Sequence, residues 1–260
     1  MTIKETTGMT LGAGAVTAAI AQTGSAEVDK ALETLKTYDW GADRNALNPI
    51  DEAIVAAQGN AAALRPLEKS LLDLLASGIS RSALDYVCRK LRLVGTSRSV
   101  KALAALLAAE ETSHIARYAL ERIGDEKAAA ALRDALPKVS SKLKPGMIGS
   151  LGTRRDKKSV KILSKLLGDS DLQVARAAAQ SLGLIGTSAA ARELSRFAKK
   201  APANMKIPVA DACMACAEQL LAGRRKTEAV ALYNQLKSDN LPTHVKAAAV
   251  KGILTAATKK

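Results

Sequence analysis

The stretch VARAAAQSLGLIGTSAAARELSRF, residues 174–197, contains two amphipathic segments on either side of a short turn signal. The turn signal is the pair Ile185-Gly186 followed by Thr187. Glycine can end a helix in the left-handed conformation, and a threonine hydroxyl can accept a hydrogen bond from a free N–H group of the next helix. The stretch therefore predicts a helical hairpin.

Three further apolar–glycine pairs divide the C-terminal two-thirds of the chain in the same way, and each is followed by a residue that can cap a helix. The pairs with their capping residues are Val94-Gly95 with Thr96, Ile123-Gly124 with Asp125, and Leu151-Gly152 with Thr153. Each glycine is expected to end one helix in the left-handed conformation. A hairpin that recurs along the chain is typical of a solenoid.

The helices that follow these turns share an apolar stripe with the spacing of an amphipathic helix. The stripe residues are Val100, Leu103, Leu106 and Leu107; Ala129, Leu132, Ala135 and Leu136; Val160, Leu163, Leu166 and Leu167; and Ala191, Leu194, Phe197 and Ala198. The series that begins at Val160 fits only if three residues within RRDKKS, residues 154–159, are an insertion. We expect this insertion to enlarge the turn into a loop that projects outward.

One such hairpin cannot bury its apolar stripe alone, although each buried leucine contributes about 1.5–3 kcal/mol. Stacked hairpins can cover one another. Residues 244–257 align without gaps on residues 173–186. We expect this last unit to be a single helix that caps the stack.

The turn-flanking residues resemble the short, phycobilin-lyase type of HEAT repeat, with its V-R-x-x-A-A-x-A-L-G-x-I-G-D core. Residues 83–260 are similar, unit by unit, to bacterial HEAT-repeat proteins of unassigned biochemical role, many of which carry export signals. The likeness is carried by ARYALERIGD at 116–125, IGSLGTRRD at 148–156 and CAEQLLAGRRKTEAVALYNQL at 216–236. The resemblance implies an all-α fold, a HEAT-like α-solenoid of about six helical hairpins with the last one truncated. Residues 217–236 also resemble half of a tetratricopeptide repeat, which would likewise be an α-hairpin.

The chain divides by pattern into a leader at 1–26, less regular helical repeats at 27–82 and HEAT-like repeats at 83–260. Apolar periodicity predicts helices over 27–38, 47–58 and 61–77. The leader ends its mildly apolar part in Ala19-Ile20-Ala21, a small-x-small cleavage pattern, but Glu5 offsets the positive charge of Lys4. Export to the periplasm and a cytoplasmic location therefore both stay open.

The Cys213-Met-Ala-Cys216 motif is the candidate for a metal or redox site in the sequence. Structural zinc needs four ligands, and no second Cys-x-x-Cys or histidine pair accompanies this motif. We expect Pro208 to open the helix, which would place Cys213 away from the helix N-terminus that favours a thiolate. In the repeat register Cys88 and Cys216 match Ala179, so we interpret the cysteines as small packing residues. The sequence predicts no cofactor site and no metal site.

Other catalytic patterns are also missing from the sequence. His114 and His244 are expected to be exposed residues at helix starts. HEAT-like deoxyhypusine hydroxylases pair histidine with glutamate, whereas Ile115 and Val245 follow the histidines here. The sequence has one tryptophan, Trp40, and one phenylalanine, Phe197. Trp40 lies outside the basic part of the sequence, and Phe197 is expected in the core. Stacking of aromatic side chains on nucleic-acid bases therefore has little support.

The net charge of +14 is unevenly placed. Residues 1–82 have 7 basic and 10 acidic residues, whereas residues 83–260 have 32 basic and 15 acidic residues. This asymmetry suggests an anionic partner. The candidate partner-binding residues form a loop group and a group on the second helices, off the buried stripe. The loop group is Arg154, Arg155, Lys157 and Lys158, and the second group, named here the basic ridge, is Lys161, Lys165, Arg192 and Arg196.

These patterns predict a non-catalytic α-solenoid scaffold, a monomer without a membrane span, that binds an acidic protein through a basic face. A basic surface that only keeps the protein soluble is the simpler interpretation. Two other functions stay open: a nucleic-acid-binding HEAT array, and an enzyme of the HEAT-like lyase type.

Overall fold

The computed structural model describes residues 26–238 and 240–258, and the described residues are helical without any strand. The helices are α1 (26–35), α2 (Asn48–Ala56), α3 (Ala61–Ala76), α4 (Arg81–Val94), α5 (Val100–Ala105), α6 (Glu110–Leu120), α7 (Glu126–Ala135), α8 (Lys144–Thr153), α9 (Val160–Leu166), α10 (Leu172–Ile185), α11 (Ser188–Ala198), α12 (Ala203–Ala222), α13 (Lys226–Ser238) and α14 (Thr243–Thr258). The predicted all-α fold is confirmed. Apart from residue 26, the predicted leader lies outside the described residues.

The chain divides into two compact units at the Val94–Gly95 bond. The N-terminal unit contains α1 to α4, and α1, α2 and α3 confirm the three helices predicted there. Its buried side chains include Leu35, Leu47 and Leu71. Leu47 belongs to a single 3-10 turn, Arg44–Leu47, so the connection between α1 and α2 contributes to the core. The domain boundaries predicted at 26/27 and 82/83 stay predictions.

In the C-terminal unit, α5 to α14, most helices contact their sequence neighbours, and matching helices of adjacent hairpins also contact each other. Among the first helices of the hairpins, α6 contacts α8, α8 contacts α10, α10 contacts α12, and α12 contacts α14. Among the second helices, α5 contacts α7, α9 contacts α11, and α11 contacts α13. Contacts between successive hairpins in chain order define an α-solenoid, as predicted.

The apolar stripe is buried at three of its four positions in the series of α5, α7 and α9, and at two in the series of α11, where Ala198 is half-buried. For α5 the buried residues are Val100, Leu103 and Leu107, which are at most 6% exposed. The third stripe residue of every series is only half-buried, and Phe197 is one of these. The expectation that Phe197 is a core residue is therefore wrong.

Helix capping follows the predicted signals at two of the four turns. The backbone N–H groups of Lys127 and Ala190 donate to the side-chain oxygens of Asp125 and Thr187 at 2.8 and 3.2 Å. The N–H group of Arg98 donates to the Thr96 hydroxyl at 3.3 Å, but this bond lies in the turn before α5, which begins at Val100. Of the four turn glycines only Gly186 is left-handed, with φ 60°. Gly95 directly follows α4, whereas Gly124 lies beyond the end of α6 at Leu120, and neither glycine is left-handed, which corrects the expectation for both.

The turn predicted at Gly152 is wrong, because α8 continues to Thr153 and the left-handed residue is Arg155, with φ 51°. The N–H groups of Arg155 and Asp156 donate to the carbonyl oxygens of Gly152 and Leu151 at 2.8 and 3.0 Å, which closes the helix end. Counted from Arg155, the stripe of α9 has the common spacing. There is no insertion and no enlarged loop.

Gly152 instead permits close packing of α8 against α10. A Cβ atom on Gly152 would lie 2.9 Å from the Cα atom of Ser181. The next contact is similar, because a Cβ atom on Gly183 of α10 would lie 2.8 Å from the carbonyl oxygen of Ala212 in α12. In contrast, nothing lies within 4 Å of a Cβ atom built on Gly149.

Substitution of Gly152 and of Gly149 by alanine is expected to change stability in opposite directions, although both glycines lie in α8. Gly152→Ala should lower the free energy of unfolding by about 1–3 kcal/mol, because the new methyl group meets backbone. Gly149→Ala should raise it by about 0.5–1 kcal/mol through helix propensity. Urea denaturation of both variants checks this, and a stabilising Gly152→Ala would contradict the close packing.

Candidate functional site

The three cysteines are buried in the helical core. Cys88, Cys213 and Cys216 are at most 1% exposed, and none of the three forms a disulfide in the described part of the chain. Burial raises the pKa of Cys88 and of Cys216 to about 12, so both thiols are protonated near neutral pH. The interpretation of the cysteines as packing residues is confirmed.

Pro208 does not open α12, which corrects that expectation: the helix begins at Ala203 and Pro208 lies inside it. Cys213 is therefore deeper in the helix than the sequence suggested. His114 and His244 are exposed, as predicted. Within the part of the chain that the structure describes, no cluster of three or more His, Cys, Asp or Glu side chains could hold a metal ion.

The basic ridge is formed by equivalent positions on two helices that contact each other. Lys161 and Lys165 lie on α9, Arg192 and Arg196 lie on α11, and all four side chains are exposed. Each pair is spaced by four residues, so its members follow one another along one face of the helix. The equivalent positions of the other second helices are mostly uncharged or acidic: Lys101 and Ala105 in α5, Ala130 and Asp134 in α7, and Val230 and Asn234 in α13.

The positive charge of the ridge is strongest on α9. Arg196 donates to Glu193 at 2.9–3.0 Å. Glu228 has its pKa lowered by a hydrogen bond from Ser188 and by the charges of Arg225 and Arg192, so Arg192 is partly compensated. Among the described residues no carboxylate forms an ion pair with Lys161 or Lys165. These two ammonium groups are the most available cations of the ridge.

Arg154 is a structural residue that binds the end of α6. Its guanidinium donates to four backbone carbonyl oxygens at 2.5–3.1 Å, those of Leu120, Glu121, Ile123 and Asp125. These carbonyls belong to the C-terminal end of α6 and the turn after it, where helical partners are lacking. Burial lowers the pKa of Arg154.

The rest of the loop group is distributed among other roles. Lys158 pairs with Glu126 at 2.6 Å, while Arg155 and Lys157 are exposed. The nearby Asp156 accepts from Arg133 at 2.6 Å. Burial opposes ionisation of Asp156, but hydrogen bonds from Ser159 and Arg133 outweigh it and lower the pKa. The turn is thus tied to neighbouring elements, so the predicted outward projection of residues 154–158 is wrong.

Comparison with known proteins agrees with this architecture. A family model described as HEAT repeats matches residues 138–213, which include α8 to α11 and the first part of α12. This part of the chain therefore consists of HEAT repeats. A comparison with the curated proteins found no match.

Two crystal structures of engineered proteins are similar over much of the chain, each at 18% sequence identity. The first covers 90% of this chain and 69% of its own, with a TM-score of 0.43. The second covers 80% of this chain and 96% of its own, with a TM-score of 0.38.

Removal of the Arg154 side chain is expected to destabilise the protein, although arginine is a typical surface residue. Arg154→Met should lower the free energy of unfolding by about 2–3 kcal/mol, because several carbonyl groups lose a charged donor. Lys157→Met, a matched loss of one exposed charge nearby, should change it by less than about 0.5 kcal/mol. Thermal and urea denaturation compare the two variants, and equal stabilities would contradict the structural role of Arg154.

Proposed function

We propose that the chain is a non-catalytic scaffold that binds an acidic protein through the basic ridge. The observation that supports this most directly is the exposure of Lys161 and Lys165 beside Arg192 and Arg196 on contacting helices. Solenoids use the surface formed by equivalent positions of successive repeats for binding. A cationic surface of this kind steers an acidic partner and favours it over neutral ones.

The absence of catalysis is part of the same proposal. The reactive side chains that the sequence offered are the buried cysteines. The raised pKa values of Cys88 and Cys216 make these two thiols poor nucleophiles and poor metal ligands. The histidines are exposed residues on two separate helices, α6 and α14. An acid–base or nucleophilic site needs such groups within hydrogen-bond reach of one another.

The basic ridge is smaller than the total charge of the unit suggests. Arg154 is engaged with backbone, and Lys158 is paired with a carboxylate. The proposal therefore assigns recognition to the four ridge residues, with Lys161 and Lys165 contributing most. It places no partner contact on Arg154.

Charge reversal of the ridge tests the proposal with a fluorescent deca-glutamate peptide as the probe. The quadruple variant with Lys161, Lys165, Arg192 and Arg196 changed to Glu should bind it at least about tenfold more weakly at low salt. The matched control reverses four basic residues on first helices: Arg176, Lys206, Lys246 and Lys251. This control should retain most of the affinity. Fluorescence anisotropy measures the affinity of both variants for the peptide. Equal losses of affinity in both variants would indicate only a general charge effect and would overturn the proposed binding by the ridge.

A single-stranded oligonucleotide of equal charge separates the nucleic-acid alternative. The proposal expects the peptide to compete effectively with the oligonucleotide at about 150 mM salt, where phosphate contacts are weakened. The nucleic-acid-binding array replaces the scaffold proposal if two results are obtained. The oligonucleotide displaces the peptide, and the affinity for the oligonucleotide falls with increasing salt as steeply as several phosphate contacts require.

A further inference from the structure

A cavity of about 690 Å³ in the N-terminal unit gathers aromatic and basic side chains. Of the six aromatic residues in the chain, three line this cavity: Tyr38, Trp40 and Tyr86. Tyr86 is buried, whereas Trp40, the only tryptophan in the sequence, is 93% exposed. The volume of the cavity is in the range of small-molecule sites. A cavity wall that contains both exposed and buried aromatic rings suits a flat ligand.

The cations of the cavity differ in availability. Arg44 and Lys90 lie over the Tyr86 ring, at 4.8 and 4.6 Å from its centroid, and both pair with Asp51. Arg89 pairs with the carboxylate of Asp85. The fourth cation, Arg81, is exposed at the start of α4, and no carboxylate in the described ranges forms an ion pair with it. Arg81 is therefore the guanidinium that remains available to an anion.

The segment that carries Trp40 is held in place by hydrogen bonds. The Ser80 hydroxyl donates to the carbonyl oxygen of Tyr38 at 2.5 Å, and the Ser82 hydroxyl donates to the Asp39 carboxylate at 3.1 Å. The backbone N–H group of Trp40 donates to the same carboxylate at 2.8 Å. The indole is thus exposed although its backbone is fixed beside α4. A backbone fixed in this way limits the positions that the exposed ring can take, which reduces the entropic cost of stacking.

We propose that this cavity binds a small organic anion in which a flat aromatic ring carries a phosphate group, as in a nucleoside monophosphate. The ring would stack on Trp40, and the phosphate would accept hydrogen bonds from Arg81, whose planar fork matches phosphate oxygens. Arg44 and Lys90 add a positive field at the cavity wall, while Asp51 holds them in position. A free nucleotide and a nucleotide within single-stranded nucleic acid share this chemistry.

Titration with AMP tests the site in the full chain, with the fluorescence of Trp40 as the signal and calorimetry as the second measurement. We expect saturable quenching by AMP. Adenosine lacks the phosphate and ribose 5-phosphate lacks the ring, so each should bind at least about tenfold more weakly. Absence of saturable binding of AMP in both measurements would overturn the site.

Two variants and one control connect binding to the named residues. Arg81→Ala and Trp40→Ala, followed by calorimetry, should each weaken AMP binding about tenfold or more. Arg65→Ala removes an exposed arginine of α3 that does not line the cavity and should bind AMP like the unmodified chain. Unchanged binding by Arg81→Ala, with its thermal transition intact, would overturn the proposal.

A titration with oligoadenylate distinguishes a free nucleotide from a nucleotide within single-stranded nucleic acid as the ligand. Tighter binding of the oligonucleotide than of AMP, lost in Arg81→Ala, would identify single-stranded nucleic acid as the ligand. Equal or weaker binding would identify the free nucleotide. The ridge-reversed variant should bind AMP normally, so this site and the scaffold proposal can fail separately.

Discussion

The close approach of backbones between successive first helices is the constraint on which the C-terminal unit depends. Gly152 faces Ser181, and Gly183 faces the backbone of Ala212, so α8, α10 and α12 lie against one another through residues that lack bulky side chains. Close packing brings the leucine stripes of neighbouring hairpins within van der Waals reach, and dispersion and apolar burial then stabilise the stack. Each hairpin therefore depends on its neighbours, and small residues permit their close approach.

Arginine side chains satisfy polar groups between successive first helices. Arg117 of α6 donates to the Gly146 carbonyl and the Ser150 hydroxyl of α8 at 3.0 and 3.2 Å. Arg154 reaches in the opposite direction, from the end of α8 to the carbonyls at the end of α6. Arginine is suited to this role because it retains its charge while it distributes several donors in a plane. The net charge of the unit therefore includes arginines that maintain structure and are not available to a partner.

The repeat pattern was sufficient to predict the helices, the stripe and the burial of the cysteines, because hydrophobic periodicity and capping are local properties of the chain. It failed at Gly152, where glycine serves close packing and not chain reversal. A left-handed arginine, Arg155, ends the helix instead, and nothing in the residue type signals this, since such a conformation is uncommon for a side chain with Cβ. The wrong turn position produced an apparent insertion and, from it, a loop that does not project.

The cavity beside Trp40 shows a different limit of sequence reasoning. Trp40 lies in the acidic part of the sequence, residues 1–82. The net charge of each part of the sequence therefore gave no reason to place Trp40 beside a basic surface. Folding brings Arg81 and Lys90 of α4 to the same cavity as Trp40, across about forty intervening residues. Residue contacts over such separations depend on tertiary packing, which the local pattern does not specify.

Hydrogen exchange of a Gly183→Val variant tests the dependence of neighbouring hairpins most directly. The added side chain would collide with the backbone of Ala212, so we expect amides of both α10 and α12 to lose protection. The helices of the N-terminal unit should retain the protection seen in the unmodified chain. Loss of protection in α10 alone, with α12 unchanged, would contradict the claim that these hairpins stabilise one another.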